Sequence, residues 1–173
     1  MNSTYIKQEA ILLLQSLIAI PSFSKEEEGT ATVLFEFLQK QGATPYRVGN
    51  NVYAIAKDFN PAKPTLLLNS HHDTVKPNAH YTKDPFSPQI EDGRLYGLGS
   101  NDAGASLVSL LASFLLCSAT TPRDWNLIVT ATAEEEISGT GGIEALLQDP
   151  LFIEQTKGCL LKENIHPATC AIV

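Results

Sequence analysis

The residues able to do chemistry fall at three stations. The first is Asn69-Ser70-His71-His72-Asp73-Thr74-Val75, where the apolar run Leu66, Leu67 and Leu68 stops at an imidazole and meets a carboxylate two positions later. On an extended backbone His71 and Asp73 share one face and His72 takes the other. The second station is Asp102, after Gly97-Leu98-Gly99-Ser100-Asn101, and the third is Glu134-Glu135-Glu136, after the nearly continuous apolar run 126–131. The two acidic stations each stand where an apolar segment meets a glycine-rich turn. In open sheets of mostly parallel strands, residues just past the carboxyl ends of the strands line the binding crevice, so His71, Asp102 and Glu136 are expected to converge. One imidazole with several carboxylates is a ligand set for zinc, manganese or cobalt, and too acidic for a structural zinc finger. A carboxylate can bridge two such ions, and metal pairs about 3.5 to 4 Å apart serve hydrolysis by clamping attacking and leaving atoms.

Plainer readings compete at each station. Taken alone, His71 reads first as a hydrogen-bonded histidine at a strand end. Glu134 to Glu136 could be a solvated acidic turn, although three like charges after a buried strand cost stability unless a cation is present. Gly97-x-Gly99 between strand and helix imitates a dinucleotide fingerprint. It fails at the third glycine, where Asp102 stands and would repel a pyrophosphate.

The elements that must position these residues follow from periodicity. Ile6, Ala10, Leu13, Leu14 and Leu17 form one helical stripe. The apolar stretch 10–20 lacks the flanks of a secretory signal, since Glu9 offsets Lys7, Gln15 and Ser16 interrupt it, and Pro21 follows without a cleavage pattern. Ser24 with Glu27 three residues later reads as a capping box for a second helix, with Ala31, Leu34, Phe35 and Leu38 inward and Gly42 as its stop. Strands at 46–48 and 52–55 flank Gly49-Asn50-Asn51 as a hairpin, and another strand at 65–69 leads into His71. The proline-broken stretch 76–88 is a long loop directly after the histidine. A second hairpin, 89–90 with 94–96, delivers Asp102, and a helix over 104–118 follows with Leu107, Leu110, Leu111, Phe114 and Leu115 inside. The run 126–131 reads as a strand covered on both faces. A short helix at 143–147 and a strand beginning at 169 close the chain.

Composition narrows the function classes. A chain of 173 residues with 43% hydrophobic content has room for one domain with a sizeable core. A net charge of -7 argues against a general nucleic-acid binder. No stretch approaches the roughly 18 apolar residues of a membrane span, so no membrane association is expected. Cys117, Cys159 and Cys170 are odd in number and contain no Cys-x-x-Cys pair, which fits neither a disulfide framework nor a thiolate zinc site and points to a reducing cytoplasm.

The stations also carry a resemblance. Ser70 to Pro77, then Asp84-Pro85-Phe86, then Asp92-Gly93-Arg94-Leu95-Tyr96-Gly97-Leu98-Gly99-Ser100-Asn101-Asp102, then Thr132-Ala133-Glu134-Glu135-Glu136-Ile137-Ser138-Gly139 resemble, in order and spacing, the successive motifs of the co-catalytic zinc family. That family holds acetylornithine deacetylase, succinyl-diaminopimelate desuccinylase, glutamate carboxypeptidase, aminoacylase and related dipeptidases. The resemblance implies an α/β fold, a mixed, mainly parallel sheet flanked by helices, as in zinc-exopeptidase catalytic domains. It implies two zinc ions, with cobalt or manganese as substitutes: His71 on one, Asp102 bridging both, Glu136 on the second. Asp73 would orient the His71 ring and Glu135 would be the general base. A water activated by the metals would lose its proton to Glu135 and attack an amide carbonyl, and Glu135 would return the proton to the leaving amine.

Departures refine the expectation. Asp102-Ala103-Gly104-Ala105 stands where the family often has Asp-Met-Lys-Gly, Leu98 where Arg is common, and Glu134 where Asp is more frequent. With Gly-Leu-Gly-Ser-Asn-Asp these are most similar to an acetylornithine deacetylase-like branch, which implies N-acetylornithine deacetylation in arginine biosynthesis. The alternatives are a dipeptidase or carboxypeptidase, or a succinyl-diaminopimelate desuccinylase, of the same family. His72 is expected not to ligate, and His80 and His166 to lie on the surface. The family's next motif, Gly-Glu-Pro, would begin after Val173, so residues 1–173 are expected to be the N-terminal portion of the catalytic domain, without the lid and dimerisation domain or the C-terminal part. The complete protein would then be a homodimer acting on a small N-acyl amino acid or peptide. Another class stays open: an inactive fragment with partial metal or partner binding, prone to associate through exposed apolar surface.

Overall fold

The structure is a computed structural model describing residues 2–160 and 169–172. Helix α1 (Ser3–Ile18) buries Ile6, Ala10, Leu13, Leu14 and Leu17, the stripe read from the sequence, together with Ile18. Asn2 caps it, accepting from the Thr4 N–H at 2.9 Å. Helix α2 (Glu28–Lys40) ends at Gly42, whose φ of +82° is the left-handed conformation that stops helices. There the Gly42 and Ala43 N–H groups close on the Gln39 and Leu38 carbonyls, both at 3.0 Å.

The expected capping box at the start of α2 does not form. The helix begins at Glu28, its cap position Glu27 makes no side-chain cap bond, and Ser24 donates instead to Asp73 Oδ2 at 2.7 Å. Both residues are drawn away by partners far along the chain, and a long-range carboxylate outcompetes the local turn as an acceptor.

Strands β1 (Pro45–Val48) and β2 (Asn51–Ile55) form the expected hairpin, closed more tightly than read because Asn51 already pairs with Val48. Strand β3 (Thr65–His71) extends two residues past the sequence expectation, so His71 is its last residue. Strands β4 (Gln89–Glu91) and β5 (Arg94–Tyr96) make a separate two-stranded ribbon. A wide turn at Ser100–Gly104 then leads into helix α3 (Ala105–Ser118). Strand β6 (Asn126–Thr132) is buried along its whole length. Helices α4 (Ile143–Gln148) and α5 (Pro150–Gln155) follow, the second unforeseen and started by Asp149, which accepts from the Phe152 N–H at 2.9 Å. Strand β7 (Cys170–Ile172) is the last element, while Val173 and His166 lie outside the described residues.

The main sheet runs in the order β1-β2-β6-β3-β7. It is mixed: β2 meets β6 antiparallel, and β6, β3 and β7 run parallel, with Thr65 opposite Asn126 and His71 opposite Thr132. Helices cover both faces. Leu127, Val129 and Ala131 of β6 pack with α1, α2 and α3, whereas Ile128 on the other face packs with Tyr53, Leu67, Leu146 and Phe152. Full burial of each such aliphatic is worth about 1.5–3 kcal/mol. That two-sided burial is why the run 126–131 reads as continuously apolar.

One expectation needs correction. The segment Ser100–Ser118 is long and apolar enough, by length and composition alone, to cross a membrane. Its backbone departs from helical geometry at Asp102 and Ala103, and Leu107, Val108, Leu111, Phe114 and Leu115 are buried in the core against α1 and the sheet. Those five side chains form its inward face.

Candidate metal centre

The parallel strands β3 and β6 end side by side, and both stations ride on that shared edge. His71 closes β3, and Thr132, its partner in register, is the last residue of β6 before the acidic run. Asp102 comes from the turn ahead of α3. A donor atom from each of His71, Asp102 and Glu136 lies within 4.8 Å of the others. The His71 Nε2 is 3.1 Å from Asp102 Oδ1 and 3.7 Å from Glu135 Oε2. Imidazole and carboxylates of this composition fit a divalent ion by the chemistry of the donor set. The Asp102 and Glu135 side chains are 78% and 59% exposed, so the cluster opens to solvent.

Asp73 stands behind the imidazole with no exposed surface. Its Oδ1 is 3.3 Å from His71 Nδ1, and that nitrogen also lies 3.1 Å from the Asp73 carbonyl. Beyond the imidazole, Oδ1 accepts from the Glu135 N–H at 3.0 Å and Oδ2 from the Glu136 N–H at 3.1 Å. One carboxylate therefore fixes both the ring and the acidic turn. Burial works against its charge, but the hydrogen bonds from His71, Ser24, and the Glu136 and Glu135 N–H groups prevail and hold its pKa at about 2. At His71 burial likewise opposes charge, and Asp73, Asp102 and Glu135 override it, raising the pKa to about 9. Burial, then the neighbouring Asp102 charge, raises the pKa of Glu136. Among the described residues no Lys or Arg nitrogen lies within 4.0 Å of Asp102, Glu135 or Glu136, and the His71 imidazole is the basic group that faces them.

His72 behaves as its alternation on the strand requires. It is buried on the opposite side, with Nε2 3.0 Å from the Asn50 carbonyl and Nδ1 2.9 Å from Thr30 Oγ1. Donation to the carbonyl leaves Nδ1 to accept from the hydroxyl, and burial pulls the pKa down to about 4. His80 is exposed. Glu134, first of the acidic run, turns away from the cluster. Its backbone is left-handed (φ +55°), and its Oε2 accepts from the Gly141 N–H at 3.2 Å. The glycines there allow close approach: a Cβ at position 141 would sit 2.8 Å from Glu134 Cδ and nearer still to Oε1.

Sequence reasoning misses three contributors: Ser24, Glu27 and Asn51. The first two read as a local cap and the third as a hairpin residue. No spacing signal marks them, because their partners lie 49, 107 and 82 residues away.

Comparison with known proteins places the chain. Residues 67–172 match the model of peptidase family M20/M25/M40. A curated relative, the succinyl-diaminopimelate desuccinylase of Cereibacter sphaeroides, is 31% identical over 146 residues, covering 80% of this chain and 38% of its own length. The chain thus spans well under half of that relative. A metallo-carboxypeptidase of the M20 family from Sulfolobus solfataricus superposes with a TM-score of 0.63 at 26% identity, over 88% of this chain and 35% of that one. A dinuclear metal binding peptidase of the same family from Bacillus subtilis shares the fold at a TM-score of 0.60 and 16% identity, over 90% of this chain and 40% of its own. The curated relative is named a desuccinylase, so it lends no support to the deacetylase-like branch expected from Gly97 to Asp102.

Proposed function

The chain belongs to peptidase family M20/M25/M40, and on that premise we propose that its acidic cluster is the metal site of an amide hydrolase acting on N-acylated amino acids or small peptides. The observation that carries the reading is the convergence of His71, Asp102 and Glu136 within 4.8 Å, with Glu135 beside them. His71 and Glu136 would each hold a metal ion, and Asp102, reaching from the facing turn, would bridge the pair. The Bacillus subtilis relative, a dinuclear metal binding peptidase, supports two ions, and zinc is the metal we assign. Bound there, the ions would supply Lewis acidity and lower the pKa of water.

The remaining steps belong to the chain's own residues. Asp73 holds the imidazole with Nε2 facing the cluster, as a carboxylate partner does for ligating histidines. Glu135, exposed and 3.7 Å from His71 Nε2, takes the proton of the attacking water and delivers it to the amine as the C–N bond breaks. Glu134 takes no part, since its carboxylate is committed to the glycine turn.

For the acyl group, the name of the curated relative ranks an N-succinyl diamino acid first. The motif Gly97 to Asp102 keeps N-acetylornithine second. We place residues 1–173 in the N-terminal portion of a catalytic domain, in line with the 38% and 35% of the two relatives that they span.

A calorimetric zinc titration of the chain, with Glu136→Ala beside it, tests the site. Zinc binding by the unaltered chain that the substitution abolishes or weakens at least tenfold is expected. Equal binding by both proteins would remove Glu136 from the ligand set, and no binding by either would overturn the metal reading.

A further inference from the structure

We infer that Glu27 and Asn51 are positioning residues for the acidic turn, completing with Asp73 a cradle that holds four consecutive backbone N–H groups. The turn's difficulty is plain from its backbone. Past Thr132 the chain leaves the β6 ladder, yet Ala133 is still buried, and Glu134 and Ser138 both adopt left-handed φ values, +55° and +49°. Buried N–H groups need acceptors, and left-handed residues other than glycine persist only where their surroundings over-determine them.

Side chains supply what the ladder does not. The Ala133 N–H donates to Asn51 Oδ1 at 3.0 Å, and the Glu134 N–H to Glu27 Oε1 at 3.2 Å. Those of Glu135 and Glu136 donate to the two oxygens of Asp73. All three acceptor residues are 0% exposed and come from separate parts of the chain: the loop before α2, the start of β2 and the segment just past β3. Asn51 also grips the far side of the turn, donating to the Gly141 carbonyl at 2.7 Å.

The chemistry of Glu27 fits this task. Its Oε1 also accepts from the Lys25 N–H at 2.7 Å, and its Oε2 accepts from Asn50 Nδ2 at 2.8 Å. Every partner is an N–H donor. A carboxylate presents oxygen at both corners and meets them all, whereas an amide must turn an NH₂ toward one. Glu27 thereby locks the loop before α2, the β1–β2 turn and the acidic turn into one unit. Its reach to the proposed ligand Glu136 is indirect, through the backbone two residues on, so the consequence for metal rests on the metal reading above.

The test separates the two ideas. Amide hydrogen exchange by NMR, without metal, is measured for Glu27→Gln and Asn51→Ala against the unaltered chain. A second arm titrates Co²⁺ by visible absorption, with Glu136→Ala as the ligand-deletion control. Glu27→Gln should speed exchange at Glu134 about tenfold, because a neutral partner makes a hydrogen bond roughly half as strong as a charged one. Asn51→Ala should do the same at Ala133, and both should leave Leu127 and Ile128 in β6 unchanged. Co²⁺ affinity should fall about tenfold or more in each, within the range for residues that support ligands. Exchange that is unaltered at 133 and 134, or that rises equally in β6, would overturn the cradle. Local acceleration with unchanged Co²⁺ affinity would overturn the consequence for the metal. If the unaltered chain binds no Co²⁺, the metal reading falls by itself, and the exchange arm still decides whether Glu27 and Asn51 hold the turn.

Discussion

If the Glu134 carboxylate is a structural plug, a double substitution at the glycine turn has an outcome that the geometry fixes. Gly141 is gripped from both sides: its N–H donates to Glu134 Oε2 at 3.2 Å and its carbonyl accepts from Asn51 at 2.7 Å. It cannot retreat. A methyl group there would stand 2.8 Å from Glu134 Cδ, so the carboxylate must withdraw by about 0.6 Å or more to reach ordinary contact. Overpacking of this kind costs about 1–3 kcal/mol. The strained Gly141 hydrogen bond adds about 1 kcal/mol. Against this, Gly141 is not among the glycines with left-handed φ, so alanine there narrows the unfolded ensemble and returns roughly 0.4–1 kcal/mol. The net expectation for Gly141→Ala is a loss of about 2 kcal/mol, or roughly 4–8 °C in Tm for a chain of this size. In a Glu134→Ala background the carboxylate atoms nearest that methyl are gone, and the same substitution should be neutral or slightly stabilising. Urea unfolding of the four proteins, followed by far-UV circular dichroism with a chelator present, gives a coupling energy expected at about 2 kcal/mol. A coupling below about 0.5 kcal/mol would show that the Glu134 carboxylate does not fill the turn, and would remove the reason for excluding Glu134 from the chemistry.

Two further outcomes follow from the site. Asp73→Asn leaves one oxygen where two accept, so one of the Glu135 and Glu136 N–H groups loses its partner. Stability should fall by about 2 kcal/mol and metal affinity by about 10- to 100-fold, read by thermal melting with chelator and by zinc titration. A variant unchanged in both would refute the bridging role of Asp73. In the complete enzyme of the proposed function, Glu135→Ala should keep the metal and lose about 10² to 10⁴ in turnover on the proposed N-acyl substrate. Turnover equal to that of the unaltered protein would remove Glu135 as the base.

Much of this arrangement is legible from periodicity and from where the apolar runs stop. The helical stripe Ile6 to Leu17, the buried strand at 126–131 and the alternation of His71, His72 and Asp73 all appear in the structure because each depends on local spacing that burial then enforces. The approach of His71 and Glu136 is legible for a different reason, since adjacent parallel strands place their carboxyl ends together, while Asp102 reaches them from the turn ahead of α3. What stays hidden depends on contacts between segments remote in sequence. Ser24 and Glu27 satisfy a local capping rule on paper, and only the fold reveals that Asp73 and the Glu134 N–H are better partners. Glu134 to Glu136 reads as one repeated residue, but the left-handed backbone at Glu134 sends its side chain the other way.

That division of labour within the acidic run explains how so much negative charge can gather at one sheet edge. Of the carboxylates in and around it, Glu27 and Asp73 are fully buried and face N–H and O–H donors together with the His71 ring, and Glu134 is partly buried against a glycine N–H. Their oxygens are spent on building the turn and are not free to bind a cation. The three that project, Asp102, Glu135 and Glu136, are the ones with no backbone or side-chain N–H partner other than the His71 imidazole among the described residues. Carboxylates that build the turn and carboxylates that project from it are thus sorted by what satisfies them. The first set makes the backbone rigid at a point where neither helix nor strand continues, and the second is left short of positive charge. A divalent ion is the partner that such a residue set favours, because it answers like-charge repulsion that hydrogen bonding from this fold leaves in place.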